Sequence, residues 1–366
     1  MDTRYPASIT ADMLRAAVDG KAKPVGSLGR IEDLAIQIGV IAGTTKPDLG
    51  RAALLVFAGD HGLVAEGVTA YPSDVTALIA QMVLDGTAGA NMAAKAAGVE
   101  VFLIDAGMKT ALAPHPALIA HRIGAGTANS LEQPAMTAAQ AREALVAGAE
   151  MAEELAGRGY GIFALGEIGI GNSSAAALLA HAVTRIPLEV LTGPGAGAPP
   201  GGVQHKLGVL KLVAARAKLC PPLAADAVAG PAERGTGAML VLDPPANRVA
   251  LDALAHVAGF EMAMLTGAML GAAGAGKLVL VDGFIATACA AAAFAISPAA
   301  RANCVFAHRS AEPGHDALLS HLGARPLLDL GMRLGEGTGA ALAIPLVRMA
   351  EAMLRDMADL PGAHPS

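Results

Sequence analysis

The sequence predicts an α/β fold, a Rossmann-like parallel sheet with helices on both faces. Five short apolar runs occur along the chain, and each is followed, directly or after a loop, by a segment with helical spacing. Continuous apolar runs of this kind are typical of parallel strands that are buried on both faces. The five predicted strands are residues 52–58, 99–104, 161–165, 278–281 and 304–307.

Helical segments surround these strands. Helical spacing begins around residues 10–18, and after Ser27 apolar residues recur at i, i+3, i+4 and i+7. Thr137 and Gln140 resemble a capping box for a helix that runs towards Gly157. The helices at the two chain ends have no strand beside them in sequence, so they are expected to pack together as a small satellite lobe.

Composition excludes several function classes. The 366 residues are 54% apolar but only 3% aromatic, with 44 Gly and no Trp, which predicts helices packed closely on small side chains. A net charge of −6 argues against a nucleic-acid groove. The Ala-rich stretch 284–300 fits a buried helix better than a membrane span.

The cysteines and the start of the sequence indicate a compartment. Cys220, Cys289 and Cys304 show no CxxC spacing, and three unpaired cysteines suit a reducing environment. The first residues lack the apolar core of a signal peptide. We therefore expect a cytoplasmic protein.

Polar residues gather where the predicted strands end. Ligands of open α/β sheets bind beyond the carboxyl ends of the strands, so polar side chains at this edge predict a pocket. The residues at these ends are Asp60, His61, Glu167, Asn172, Asp282, His308, Ser310 and Glu312.

One carboxylate near the C-terminus is a candidate base. Glu336 stands between Gly335 and Gly337, and a long apolar run follows it. Neighbouring glycines let a ligand approach the main chain, and a Glu at the mouth of a buried helix suits proton transfer. The alternative is a glycine-rich turn with a solvated Glu that serves the helix N-terminus.

Two loops are candidates for phosphate binding. Residues 166–174, GEIGIGNSS, join a strand to a helix whose backbone N–H groups suit an anion; the alternative is a tight turn. Residues 308–315, HRSAEPGH, have six residues between the two His, which is not a metal-ligand spacing. Phosphate or ribose contact through Ser310 is one interpretation, and a salt-bridged polar loop is the other.

Two further groups of residues have open interpretations. Asp60 and His61 could be a catalytic pair, but a hydrogen-bonded brace at the strand end is the interpretation we favour. Ser73 and Gln81 offer a hydroxyl and an amide near one helix start, where they could orient an aromatic nitrogen heterocycle. Ser73 and Asp74 could instead be an N-cap.

Seven motifs, taken in order, carry a family resemblance. They are KPVGSLGR (23–30), FAGDHG (57–62), EGVTAYP (66–72), GEIGIGN (166–172), DGFIAT (282–287), HRSAEPGH (308–315) and LDLGMRLGEGTGA (328–340). With these motifs the chain resembles the nicotinate-nucleotide:dimethylbenzimidazole phosphoribosyltransferases of cobamide synthesis. The likeness runs from about Lys21 to the final helix, and the last motif is highly specific.

The resemblance implies an architecture and a reaction. It implies a homodimer whose subunits have a large α/β domain, residues 45–335, and a small helical domain from residues 1–44 and 336–366. The implied reaction moves the phosphoribosyl group of nicotinate mononucleotide to 5,6-dimethylbenzimidazole, yielding α-ribazole 5′-phosphate and nicotinate. No metal or other cofactor is implied, and neither is a nucleic-acid or membrane partner.

The resemblance also implies roles for individual residues. Glu336 matches the general base, and Ser73 and Gln81 match the benzimidazole pocket. The positions that match the nucleotide side are Glu167, Gly169, Lys206 and Ser310. The chain departs from the family at residues 193–202, where a Pro/Gly-rich stretch replaces a Gly-Arg-Gly-Thr-Gly turn, so Lys206 is aligned mainly by the helix after it.

Two other function classes fit the sequence less well. A nucleotide-binding oxidoreductase should show GxGxxG after the first strand, and residues 59–62 (GDHG) do not. A non-catalytic nucleotide sensor with the same fold would bind without turnover, and the presence of Glu336 argues against it.

Overall fold

Six strands form the centre of the molecule in the computed structural model, which describes residues 9–195, 197, 201–219 and 248–360. The strands are β1 (Arg51–Gly59), β2 (Glu100–Gly107), β3 (Leu118–Ala120), β4 (Tyr160–Ile168), β5 (Leu278–Val281) and β6 (Cys304–Phe306). Their order is β3-β2-β1-β4-β5-β6, and every neighbouring pair is parallel. This is the strand order of a Rossmann-type sheet, so the predicted fold class is confirmed.

The helices cover both faces of this sheet. They are α1 (Ala11–Asp19), α2 (Arg30–Ala42), α3 (Asp74–Leu84), α4 (Gly89–Ala97), α5 (Ala138–Gly157), α6 (Asn172–Thr184), α7 (Leu188–Leu191), α8 (Gly202–Arg216), α9 (Arg248–Val257), α10 (Phe260–Gly274), α11 (Phe284–Ile296), α12 (Gly314–His321) and α13 (Thr338–Asp356). Residues of α5, α6 and α9 to α12 share one apolar core, and residues of α1 to α4 and α13 share the other.

Alternation along the strands explains the two cores. In β1, Leu55 and Phe57 belong to one core, whereas Leu54 and Val56 belong to the other. Successive strand side chains point to opposite faces, so a strand that is apolar at every position must be covered on both sides.

Helices α5 and α10 show the close packing that the composition predicts. A Cβ on Gly148 or Gly267 would overlap the backbone of the facing helix, at Met264 and Leu145 respectively. Glycine at these positions lets the two helices approach more closely than larger side chains would allow.

The helices from the two chain ends contact one another. Helices α1, α2 and α13 pack together, and Lys21 Nζ lies 3.0 Å from an Asp359 carboxylate oxygen. Helix α13 also packs against α4 and against β1 and β4, so it joins this group of helices to the sheet. The proposed domain boundaries at residues 45 and 336 stay a prediction.

Two other sequence-based predictions concern single helices. Thr137 Oγ1 accepts the N–H of Gln140 and the Gln140 side chain accepts the N–H of Thr137, so the predicted capping box is confirmed. Among the helices that the structure describes, none is both long and apolar enough to cross a membrane.

Candidate active site

A cavity lies beyond the carboxyl ends of β4, β5 and β6. It has a volume of about 940 Å³ including its open mouth. The order of strands reverses between β1 and β4, and crevices at such switch points are where open α/β sheets bind ligands. The polar residues that line it are Thr69, Glu167, Asn172, Ser173, Asp282, His308, Ser310, Glu312, Arg333 and Glu336.

An unusual turn presents Glu336 to this cavity. Gly335, Glu336 and Gly337 have φ angles of 84°, 60° and 76°, all in the left-handed region. A residue with a Cβ pays a steric cost there, and such residues concentrate at functional sites. The turn crosses β4 at Gly166, where a Cβ would overlap the backbone of Glu336 and Gly337.

The Glu336 carboxylate is buried and held by one of its oxygens. Its Oε2 accepts the Ala90 N–H at 3.0 Å, at the N-terminus of α4, and the residue is 8% exposed. The positive end of a helix dipole stabilises a carboxylate. Within the described part of the chain, Oε1 has no hydrogen-bond partner. One carboxylate oxygen is thus anchored, and the other is left to accept a proton.

Asp282 ties the start of α13 to the end of β5. Its Oδ1 accepts the Ala340 N–H at 2.9 Å, and His308 Nε2 lies 3.6 Å from the same oxygen. Burial raises the pKa of Asp282, and the nearby His308 opposes that rise. Gly339 has no space for a Cβ because the His308 ring occupies it. The sequence placed Asp282 and His308 at this edge but did not reveal this contact with the Glu336 segment.

Glu167 stands beside Glu336 in the cavity wall. Its backbone C=O accepts the Glu336 N–H at 3.2 Å, and its carboxylate accepts a hydrogen bond from the Asn172 amide. Burial, followed by the negative charges of Asp282 and Glu261, raises the pKa of Glu167 well above its usual range, against the opposing Asn172 hydrogen bond. This carboxyl group therefore keeps its proton to a higher pH than an exposed Glu does.

The start of α6 is a part of the cavity wall that suits an anion. Gly169 and Gly171 lead into α6, whose first residues, Asn172 and Ser173, line the wall together with Ser310. The N–H groups of a helix N-terminus bind phosphate well. Both loops in which the sequence indicated phosphate binding therefore meet at one cavity.

Lys206 lies behind this wall. Its Nζ donates to Ser173 Oγ at 2.9 Å and to the Gly193 C=O at 3.1 Å, and the side chain is buried. Burial lowers the pKa of Lys206 to about 8, and the charge of Glu312 opposes that shift. In the Pro/Gly-rich stretch before it, residues 196 and 198–200 lie outside the described residues.

Arg333 is a lining residue to which the sequence gave no role. One of its guanidinium nitrogens donates to the Gly195 C=O at 2.9 Å. It faces a cavity that also contains Glu167, Asp282, Glu312 and Glu336, so it offsets part of a concentrated negative charge. Its position within the 328–340 motif was its one signal in the sequence.

Ser73 and Gln81 lie apart from the other predicted site residues, and neither lines the cavity. Ser73 Oγ accepts from Lys109 Nζ at 3.2 Å, and the exposed Gln81 donates to an Asp85 carboxylate oxygen at 2.8 Å. Helix α3 does contribute Ile79 to the wall, where Val68, Ile168, Ile170 and Leu334 add further apolar surface.

Asp60 and His61 each contact another segment of the chain, as the brace interpretation expects. His61 Nε2 lies 2.6 Å from a carboxylate oxygen of the buried Glu261 on α10, and Asp60 accepts the Lys109 N–H at 2.7 Å. Glu261 lies 200 residues further along the chain, so the sequence could not identify it as the partner.

The arrangement can support a group transfer to an aromatic nucleophile. It offers a carboxylate with one oxygen available, a helix N-terminus that suits an anion, and apolar side chains, all lining one cavity. No group of three or more His, Cys, Asp or Glu among the described residues is arranged to hold a metal ion. The fold and the cavity define the class: α/β enzymes that bind a nucleotide at the carboxyl edge of a parallel sheet.

Comparisons with known proteins identify the family within this class. A family model described as "Phosphoribosyltransferase" matches residues 5–364. The nicotinate-nucleotide–dimethylbenzimidazole phosphoribosyltransferase of Ralstonia nicotianae is 45% identical over 355 residues, 96% of this chain and 93% of the relative. That of Cupriavidus necator is 43% identical over 350 residues, with the same coverage. The crystal structure of CobT from Thermus thermophilus has a TM-score of 0.85 and 38% identity over 95% of this chain and 96% of its own. The chain belongs to the nicotinate-nucleotide–dimethylbenzimidazole phosphoribosyltransferase family.

Proposed function

We propose that the protein transfers the phosphoribosyl group of nicotinate mononucleotide to 5,6-dimethylbenzimidazole. The products are α-ribazole 5′-phosphate and nicotinate, and the reaction serves the nucleotide-loop assembly of cobalamin biosynthesis. Family membership over nearly the whole chain supports the proposal. The observation that carries it is the buried Glu336 carboxylate, anchored by one oxygen in the same cavity as the α6 anion site.

The chemistry of the substrates sets what the protein must supply. In the substrate, the nicotinate ring is bonded to C1′ as a cationic pyridinium. It takes the electrons of the C1′–N bond and leaves as a neutral pyridine ring, so its departure needs little acid assistance. The benzimidazole must lose its N–H proton as its other nitrogen attacks C1′. Attack from the face opposite nicotinate converts a β-nucleotide into an α-nucleotide. The protein therefore needs one base, a phosphate anchor and an apolar slot, and the chemistry calls for no metal or other cofactor.

The residues divide between these tasks. Glu336 accepts the benzimidazole proton on the oxygen that Ala90 does not hold. The 5′-phosphate binds at Gly169 and the α6 start and meets Ser310 across the cavity. Lys206 supports the phosphate through Ser173.

Two assignments rest on the resemblance alone. Glu167 serves the nucleotide side. Its raised pKa favours the neutral carboxyl group, which can donate a hydrogen bond to a substrate oxygen. Ser73 and Gln81 serve the benzimidazole slot, and they share helix α3 with the lining residue Ile79.

The proposal includes a homodimer in the cytoplasm. Large apolar side chains on one side of α3, Leu78 and Met82, are 61% and 41% exposed, and an apolar helix face of this kind suits contact with a second subunit. Sedimentation should give a mass twice the 36.4 kDa of one chain. Cys289 and Cys304 are free and buried, as suits a reducing compartment, and Cys220 lies outside the described residues.

One experiment tests the activity directly. The purified protein is mixed with nicotinate mononucleotide and 5,6-dimethylbenzimidazole, and α-ribazole 5′-phosphate is sought by mass spectrometry. The expected result is product that depends on both substrates. Binding of the mononucleotide without any product would contradict the proposal and favour a nucleotide sensor.

A further inference from the structure

His315 is a buried side chain that the proposed mechanism does not use. It lies in the first turn of α12 and is 0% exposed. Its Nδ1 accepts the backbone N–H of Ser310 at 2.8 Å, and its Nε2 lies 3.0 Å from Thr287 Oγ1 on α11. The ring therefore links two helices to the loop that carries a lining residue of the cavity.

The two contacts define the tautomer of the ring. Since Nδ1 accepts a hydrogen bond from the Ser310 N–H, the ring hydrogen sits on Nε2, which donates to Thr287 Oγ1. Burial, with a smaller contribution from the charge of His308, lowers the pKa of His315 to about 3. The imidazole is neutral at physiological pH, as this hydrogen-bonding pattern requires.

In this loop the backbone N–H groups of Ser310, Ala311 and Glu312 are already paired, whereas the Ser310 hydroxyl can still donate. The N–H of Ser310 goes to His315, that of Ala311 to the Met332 C=O at 2.9 Å, and that of Glu312 to Ser310 Oγ at 3.3 Å. Because Ser310 Oγ accepts from Glu312, its own O–H remains to donate, and Ser310 lines the cavity. An anion such as a phosphate monoester is the matching acceptor.

We propose that His315 is a positioning residue for phosphate recognition: by holding the Ser310 peptide in place, it directs the Ser310 hydroxyl towards the 5′-phosphate of the nucleotide. The inference rests on the proposed function for the identity of the nucleotide. A hydrogen bond to a charged group contributes more than one to a neutral group, so misplacing this hydroxyl should weaken binding of the phosphate in particular.

Binding of two ligands that differ only in the phosphate tests the inference. Dissociation constants for nicotinate mononucleotide and nicotinate riboside are measured by calorimetry for the parent, His315→Leu, His315→Asn and Thr287→Val. His315→Leu removes the acceptor and should weaken mononucleotide binding about tenfold while leaving riboside binding within twofold. His315→Asn places an amide oxygen near the position of Nδ1 and should keep most of the parent's affinity for the mononucleotide. Thr287→Val, which frees Nε2, should give a smaller loss of the same kind.

A second variant in the same helix separates positioning from stability. Leu318 is also buried in α12, and Leu318→Ala should lower the unfolding midpoint without changing the ratio of the two dissociation constants. The inference is overturned if His315→Leu weakens binding of both ligands equally or of neither. It is also overturned if His315→Leu, like Leu318→Ala, lowers the unfolding midpoint without changing the ratio of the two dissociation constants. If His315→Leu does not fold, His315→Asn and Thr287→Val decide. The dissociation constant of the riboside divided by that of the mononucleotide must be near the parent value in His315→Asn and lower than the parent value in Thr287→Val.

Failure of the inference is distinguishable from failure of the proposed function. A parent protein that prefers the mononucleotide but forms no α-ribazole 5′-phosphate would contradict the function and leave the positioning role standing. A parent that binds the riboside as tightly as the mononucleotide would overturn the positioning role itself.

Discussion

Glu336 combines a strained backbone with an anchored carboxylate. Its φ of 60° costs roughly 1–2 kcal/mol for a residue with a Cβ, and hydrogen bonds on both sides of the turn maintain it. The Glu336 N–H is held by Glu167, the carboxylate by Ala90, and the next helix by Asp282. Three separate segments of the fold thus fix the position of one carboxylate oxygen.

Replacement of Glu336 by Gln tests its role as base. Glu336→Gln keeps the size of the side chain and the acceptor for the Ala90 N–H but cannot take up the benzimidazole proton. Loss of a general base costs about 10²–10⁴-fold in rate. We expect a folded variant with unchanged mononucleotide binding and at least tenfold slower single turnovers. Nearly full activity would show that a group other than Glu336 accepts the proton.

The pKa of Lys206 predicts how binding depends on pH. With a pKa of about 8, the lysine loses its charge above that pH in the empty site. The KM for nicotinate mononucleotide should therefore rise above about pH 8, by up to about tenfold per pH unit. Lys206→Met should have a higher KM at pH 7 and a flat profile from pH 7 to 10. The same rise in the variant would exclude Lys206 as its source.

At the scale of elements, β4 and the Glu336 turn depend on the absence of a side chain at Gly166. A Cβ there would overlap the backbone of the turn, and overpacking of this kind costs about 1–3 kcal/mol. Gly166→Ala should lower the free energy of unfolding by this amount in urea titrations and slow turnover, because the turn must move. Gly208→Ala is the matched control, because Gly208 lies in α8 with open space around it. This variant should raise the free energy of unfolding by about 0.5–1 kcal/mol. A Gly166→Ala variant with parental stability and rate would contradict this packing argument.

Helix α3 carries the prediction for the base slot. Ser73→Ala and Gln81→Ala should raise the KM for dimethylbenzimidazole while leaving that for nicotinate mononucleotide nearly unchanged. In the substrate-free structure their side chains bond to Lys109 and Asp85 instead. Initial rates at varied concentrations of each substrate measure the two constants. Equal changes in both would mean that this helix supports the fold rather than the slot.

Sequence patterns predicted the elements that local signals define. All five apolar runs are strands, with ends that differ from the predicted ones by at most three residues, and the Thr137 capping box is present. The sixth strand, β3, was missed because its three residues, Leu118–Ala120, lack a longer apolar run and pair with β2 alone. Local sequence carries little information about so short an edge strand.

The sequence predicted several of the residues that line the cavity but not the contacts that hold them in place. Glu167, Gly169 and Ser310 line one cavity because parallel strands end at the same edge, and the turn before α13 brings Glu336 to that cavity. The contacts that position them join distant parts of the chain, as when Ala90 meets Glu336 across 246 residues. No pattern within one segment encodes such a pair, so it became visible only in the folded structure.

At the scale of the whole molecule, the candidate active site concentrates acidic groups at the carboxyl edge of the sheet. Glu167, Asp282 and Glu336 line the cavity, and Glu261 is buried nearby. Without substrate, mutual repulsion and burial make ionisation of Glu167 unfavourable, which is why its pKa is raised. Such a cluster lowers stability in exchange for a site prepared for a nucleotide.

This cluster should make the substrate-free protein less stable as the pH rises. A carboxyl group whose pKa is raised in the folded state binds its proton more tightly there than in the unfolded chain. The stability that it contributes is fully present below the unfolded pKa, about 4.3 for Glu, and is lost as the pH rises through the folded pKa. The free energy of unfolding should thus fall between pH 5 and pH 9 through the contribution of Glu167.

The variant Glu167→Gln isolates this contribution, because Gln keeps an acceptor for the Asn172 amide but does not ionise. Urea unfolding of the parent and the variant at pH 5, 7 and 9 measures it. We expect the variant to lose stability less steeply with pH and to exceed the parent at pH 9, while Glu150→Gln, at an exposed position on α5, keeps the parental slope. If the free energies of unfolding of the parent and Glu167→Gln change in parallel with pH, Glu167 has the same pKa in the folded and unfolded chains. Burial among acidic neighbours would then not raise its pKa, contrary to what we expect.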